Sequence, residues 1–186
     1  MKRLLALALV ALMAGGAMAQ EAGIGIFFSD SEFTDATTNT ASGGAPQDMF
    51  LVLLGGPYDT VGGYELGITF NGTAPFILSA GGPGGWTNFG DNVNHLVGFQ
   101  TAQPLANGAL VLCTMSILAT DPGTTEIILG PSDPSSFDPQ VPGIANGANP
   151  DDLLACGLTS GQTVPAMVAT INGGGITAIE GRTLTD

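Results

Sequence analysis

Short runs of β-branched, aromatic and aliphatic residues alternate along the chain with clusters of Gly, Pro, Asn, Asp and Ser, the pattern of an antiparallel β-protein. No helical period persists. Residues 24–28 predict a first strand and 49–54 a second, which is apolar at every position and therefore belongs in the middle of a sheet, buried on both faces. Between them, 29–47 reads as a polar loop. Tyr64, Leu66, Ile68 and Phe70 then alternate with Glu65, Gly67 and Thr69, which predicts a half-buried strand with one wet face. Further strands are expected at 76–79, 95–99, 109–119, 124–129 and 164–171. In the longest of these, Val111, Cys113, Met115, Ile117 and Ala119 share one face, so Cys113 points inward. The stretch 130–152 carries five prolines and little strand signal, and reads as an excursion around the edge of the fold.

Eight or nine short strands without helices bury their apolar faces most simply as two packed antiparallel sheets. The expected fold is therefore all-β, an antiparallel β-sandwich of the immunoglobulin-like or jelly-roll kind; a closed barrel is the competing arrangement. No internal repeat suggests a propeller or β-helix.

The N-terminus lies outside this pattern. Lys2 and Arg3 precede an unbroken apolar run at 4–13, and Ala17-Met18-Ala19 offers small residues for cleavage. This is the layout of a secretory signal peptide, and its apolar run is too short for the ~20 residues that cross a bilayer. The expected organisation is a signal peptide at 1–19, a sandwich domain at 20–172, and a Gly-rich linker and tail at 173–186. The protein is thus expected to be secreted, extracellular or periplasmic, with no transmembrane segment in the exported part.

Composition sharpens this picture. The 186 residues include 29 Gly and 12 Pro, only 10% are charged, and 44% are hydrophobic, which excludes both a coiled coil and a disordered chain. Past residue 19, Arg182 is the one basic side chain against sixteen carboxylates. Such a surface repels nucleic acid and suits solubility, divalent cations or a basic partner. The low charge fraction, the many glycines and the lack of lysine on the strands also raise an expectation of self-association through sheet edges.

Candidate chemistry is sparse. Cys113 and Cys156 are the only cysteines, and export permits a disulfide between them, closing roughly 44 residues for about 4 kcal/mol at most; the other reading is two buried free thiols. Asn146, Asn149, Asp151 and Asp152 form the densest set of oxygen donors, a candidate calcium site at Asp151 and Asp152, although Asn-Pro and Asp-Pro pairs equally form turns. Trp86, in a Gly-rich segment, is the candidate aromatic for stacking on a sugar, while Tyr64 belongs to a core face. His95 is the only histidine, sits in a strand pattern, and has no Gly-x-Ser-x-Gly elbow beside it. Glu65, Glu126, Asp91, Asp133 and Asp138 supply many carboxylate pairs, none of which stands out as glycosidase machinery. No catalytic residue and no cofactor is assigned. The protein is expected not to be an enzyme.

With the strands placed, the exported sandwich with its early Val61-Gly62-Gly63-Tyr64-Glu65-Leu66 strand and later long strand at 110–119 resembles cohesin-like and carbohydrate-binding-module-like β-sandwiches. It is also similar to small secreted bacterial proteins of unassigned function, through Ile127-Ile128-Leu129-Gly130-Pro131-Ser132, Asn149-Pro150-Asp151-Asp152-Leu153-Leu154 and Val168-Ala169-Thr170-Ile171-Asn172-Gly173. The resemblance implies a non-catalytic extracellular module that binds an unknown protein or polysaccharide. It transfers no functional residue.

Overall fold

The computed structural model describes residues 22–30, 33 and 40–174; the expected signal peptide and nearly all of the expected tail lie outside these. Thirteen strands run through the described residues: β1 (Gly23–Phe27), β2 (Thr40–Ala41), β3 (Gln47–Leu54), β4 (Thr60–Asn71), β5 (Phe76–Gly81), β6 (Trp86–Asn88), β7 (Asn94–Pro104), β8 (Ala109–Leu118), β9 (Thr125–Gly130), β10 (Gly143–Asn146), β11 (Leu153–Ala155), β12 (Gly157–Leu158) and β13 (Ala166–Ile171). They form two sheets. The five-stranded sheet has the order β12-β1-β3-β8-β5; the eight-stranded one runs β11-β10-β4-β9-β13-β2, with β7 on the other side of β4 and β6 beyond β7. The fold is all-β and sandwich-like, and it is not a closed barrel.

The sheets are mixed rather than purely antiparallel, because two-residue strands join parallel to a neighbour: β12 alongside β1 and β2 alongside β13. Two-residue strands carry no readable period. The excursion at 130–152 differs from expectation for the same reason. It does not simply skirt the edge, since its four-residue β10 pairs with the N-terminal half of β4 and buries Ile144 in the core.

The core lies between the sheets. Ile24 and Ile26 of β1, Met49, Leu51 and Leu53 of β3, and Cys113, Met115 and Ile117 of β8 meet Tyr64, Leu66 and Ile68 of β4, Ile127 and Leu129 of β9, and Ile171 of β13. At about 1.5–3 kcal/mol for each large aliphatic side chain fully buried, this layer is the main source of stability. β3 is the middle strand of its sheet, as its unbroken apolar run predicts.

Bulges shift the alternation along two long strands. In β8 the register against β3 skips Leu112, so Leu110 and Leu112 are buried ahead of Cys113, and Val111 turns outward beside Thr114 instead of joining the inner face. In β4 a shift between Val61 and Gly63 lets Val61 and Tyr64 both point inward. The chain crosses between the sheets from β5 to β6 through Gly82–Gly85, where Gly84 and Gly85 take φ of +64° and +70°, a left-handed backbone that favours glycine.

Candidate functional site: a glycine-floored groove on the outer face

On β4, the residues that alternate with the buried Tyr64, Leu66 and Ile68 face away from the core. Register places Gly63 opposite Gly98 of β7 on one side and Ala145 of β10 on the other; the next row pairs Glu65 with Leu96 and with Gly143. Four of these six outward positions carry a hydrogen or a methyl group as side chain. The result is a shallow groove of about 330 Å³ across three strands, floored by Gly63, Gly98 and Gly143.

Two phenylalanines flank it. Phe137 packs directly on Gly143, where a Cβ atom would collide with its ring, and the Phe89 ring lies 3.9 Å from where a Cβ on Gly98 would stand. Leu153 closes the rim from β11, 47% exposed, and Phe89 is 78% exposed.

The segment carrying Phe137 is pinned to the sheet by two outward side chains. Glu65 accepts hydrogen bonds from the Ser136 backbone N–H (2.7 Å) and from the Ser136 and Ser135 hydroxyls (2.6 and 3.4 Å). Asn94 donates from Nδ2 to the Asp133 carbonyl (2.6 Å), and its Oδ1 accepts from the Asp133 N–H (2.9 Å). The wet-face carboxylate of Glu65 thus builds the wall of the groove.

Phe89 sits in the turn between β6 and β7, which side chains hold in one shape. Asn88 Oδ1 accepts from the N–H groups of Gly90 and Leu96, and Asp91 Oδ1 accepts from those of Val93 and Asn94. The two N–H donors hold the Asp91 carboxyl below the ordinary carboxylate range.

Beneath the turn a directed chain of hydrogen bonds ties it to the core. The Trp86 indole N–H donates to the Tyr64 hydroxyl (3.1 Å), which donates to His95 Nδ1 (2.9 Å), and His95 Nε2–H donates to the Asn92 carbonyl (3.2 Å). A carbonyl can only accept, which fixes the proton on Nε2 and leaves Nδ1 to accept. Desolvation lowers the His95 pKa and keeps the ring neutral, as this arrangement requires; it also pushes the Tyr64 hydroxyl up. Tyr64 and His95 stack tilted at 5.8 Å, with the Trp86 ring edge-on to His95 at 6.3 Å.

Trp86 is therefore on a strand rather than in the Gly-rich loop, half-buried against the core with its N–H spent inside. Phe89, three residues on, is the exposed aromatic of this segment. Asp151 and Asp152 lie in the turn between β10 and β11. There Asn146 Nδ2 donates to Asp152 Oδ2 (3.0 Å), and backbone bonds link Asn146 N to Asp152 O and Asp152 N to Asn149 O, so the cluster forms the turn itself. Among the described residues, no three His, Cys, Asp or Glu side chains converge as a metal-holding group.

The cysteines do not pair in this structure. Cys113 lies on the inner face of β8, and Cys156 in the connection that carries the chain from β11 to β12, each a separate buried thiol. Burial pushes the Cys113 thiol up to about 11 and Cys156 up to about 12.

Among the described residues, no helix is long and apolar enough to cross a membrane. No protein family, curated protein or solved structure matches the chain.

Proposed function

We propose that the protein is an exported, non-catalytic binding module of the cohesin-like or immunoglobulin-like sandwich kind, acting in adhesion or assembly at the cell envelope, and that the groove over Gly63 and Gly98 holds its ligand. The observation that carries this reading is Phe89, an aromatic ring left 78% exposed on a turn whose backbone is bonded in place. Preorganised aromatic anchors lose little entropy on binding, which makes them effective contact residues. The groove is shallow and largely apolar, and it lies across three strands. Sixteen carboxylates against one arginine past residue 19 favour a polypeptide ligand that combines apolar with Lys or Arg side chains.

Selection of a displayed random-peptide library on the purified protein tests this, with parallel incubation on cellulose, chitin and xylan. The expected peptides share an aromatic or aliphatic residue near a basic one. Their retention should fall on a Gly98→Leu variant, in which the new side chain fills the groove. Retention on a polysaccharide with no peptide enriched would overturn the reading in favour of carbohydrate binding.

A further inference from the structure

On the opposite sheet, the two ends of the outer face differ. At β1 it is covered: Phe27 is buried against Phe33 at 5.5 Å, and Thr159 lies across Gly25. At β5 it is open. This strand ends its sheet, and among the described residues no strand pairs with the side away from β8. Edges of this kind are normally blunted by charge, proline, a bulge or a covering loop; β5 has a register shift at Leu78, which turns Ser79 to the same face as Phe76, but no proline and no charge. Here residues 66–90 contain no charged side chain at all, in a chain with sixteen carboxylates.

The strand is also lopsided. Its first half is bulky, with Phe76 64% and Leu78 53% exposed, and its second half is Ser79, Ala80 and Gly81. Phe76, Ser79 and Gly81 are opposite Leu118, Ser116 and Thr114 of β8, on the outward face, while Ile77 and Ala80 pack on the core. Over the small half the outer face is hollow, an open concavity of about 590 Å³ lined by Ser79, Gly81, Gly82, Pro83, Val111 and Thr114.

We propose that β5 is a self-association site, where two copies pair antiparallel about a twofold axis between Leu78 and Ser79 and join their five-stranded sheets into one. That register sets Phe76 of each copy opposite Gly81 of the other, Ile77 opposite Ala80, and Leu78 opposite Ser79. Large meets small at each pair, outward residues meet outward residues, and each Phe76 ring covers the other copy's hollow. A parallel pairing sets Phe76 against Phe76 and leaves both hollows empty. Electrostatics selects the same place: two strongly acidic copies repel, and contact is least opposed where the chain carries no charge. The nearby carboxylates fall away from the axis. Asp121, bonded to Thr73 at 3.1 Å, lies beyond the Phe76 end of each copy, and Asp48 is two strands in on β3.

Sedimentation equilibrium of the purified protein over a concentration series, at low and high salt, tests the proposal. The expected result is a dimer whose dissociation constant tightens with salt as repulsion is screened. Phe76→Lys and, separately, Gly81→Glu should each weaken it at least tenfold, and mixing the two variants should restore a heterodimer, because position 76 of one faces position 81 of the other. A Cβ on Gly81 meets nothing within 4 Å, so that substitution leaves the monomer intact, and unchanged thermal melting checks this for both variants. A strict monomer at the highest soluble concentration, or a dimer indifferent to both substitutions, would overturn the proposal.

Discussion

The two sides of β4 are built from adjacent residues and follow opposite rules. Its inner side, Tyr64, Leu66 and Ile68, is filled and satisfied: each side chain is buried, and the Tyr64 hydroxyl both accepts and donates. Its outer side, Gly63, Glu65 and Gly67, carries one side chain beyond glycine, the Glu65 carboxylate that holds a loop. Folding shapes both: large apolar side chains fill the inner side, while on the outer side the Val97 and Pro131 carbonyls approach too closely for a side chain at 63 or 67, so glycine is required there. The two sides can be probed separately.

The largest effect belongs inside. Leu66→Ala should cost about 2–5 kcal/mol, as cavity-forming core substitutions do, read from the denaturation midpoint. Alkali should come next. Cys113 and Cys156 have folded pKa values raised to about 11 and 12 from an ordinary 9. Their contribution is complete below pH 9 and is lost as pH rises through the folded values, because only the unfolded chain releases these protons in that window. Stability should therefore fall by about 4 kcal/mol between pH 9 and 11, and a Cys113→Ala, Cys156→Ala pair should make the slope shallower.

Tyr64→Phe should cost less, about 1–3 kcal/mol, by leaving His95 Nδ1 without a donor and the Trp86 N–H without an acceptor. Trp86 is the only tryptophan, so its fluorescence reports this directly as the turn carrying Phe89 loosens. The smallest effect belongs outside. Gly98→Leu should change stability by no more than about 0.5 kcal/mol, since its Cβ meets only the Phe89 ring at ordinary contact distance. A large loss there would erase the distinction between the two sides.

Much of the inner side was legible in the sequence. Alternation placed Tyr64, Leu66 and Ile68 in the core, the all-apolar run at 49–54 marked the central β3, and Cys113 was read as inward. Val111 was misplaced because a single bulge at Leu112 inverts the phase, and no local signal announces a bulge in an aliphatic run. Strands β10 and β11 went unread because three or four residues are too few for a period, so their partners on β4 were invisible.

The outer groove was hidden for another reason. Gly63, Gly98 and Gly143 are far apart in sequence and acquire meaning only when register aligns them. Phe89 leaves a trace, an aromatic stranded between Asn88 and Gly90 in a polar turn, but a single such residue carries no periodic signal. The cysteines show the limit of counting: an even number suggests a bridge, yet Cys113 on β8 and Cys156 in the link from β11 to β12 are separate buried thiols.

The proposed ligand surface is the outer side of β4. The direct test is a heteronuclear spectrum of nitrogen-15-labelled protein titrated with a peptide from the selection, in which glycine amides are resolved from the crowd. Shifts concentrated at Gly62, Gly63, Gly98 and Gly143 and at Phe89, abolished by Gly98→Leu, are the predicted result. Shifts confined to β5 or to the turn at Asp151 and Asp152, with the groove glycines unmoved, would contradict it.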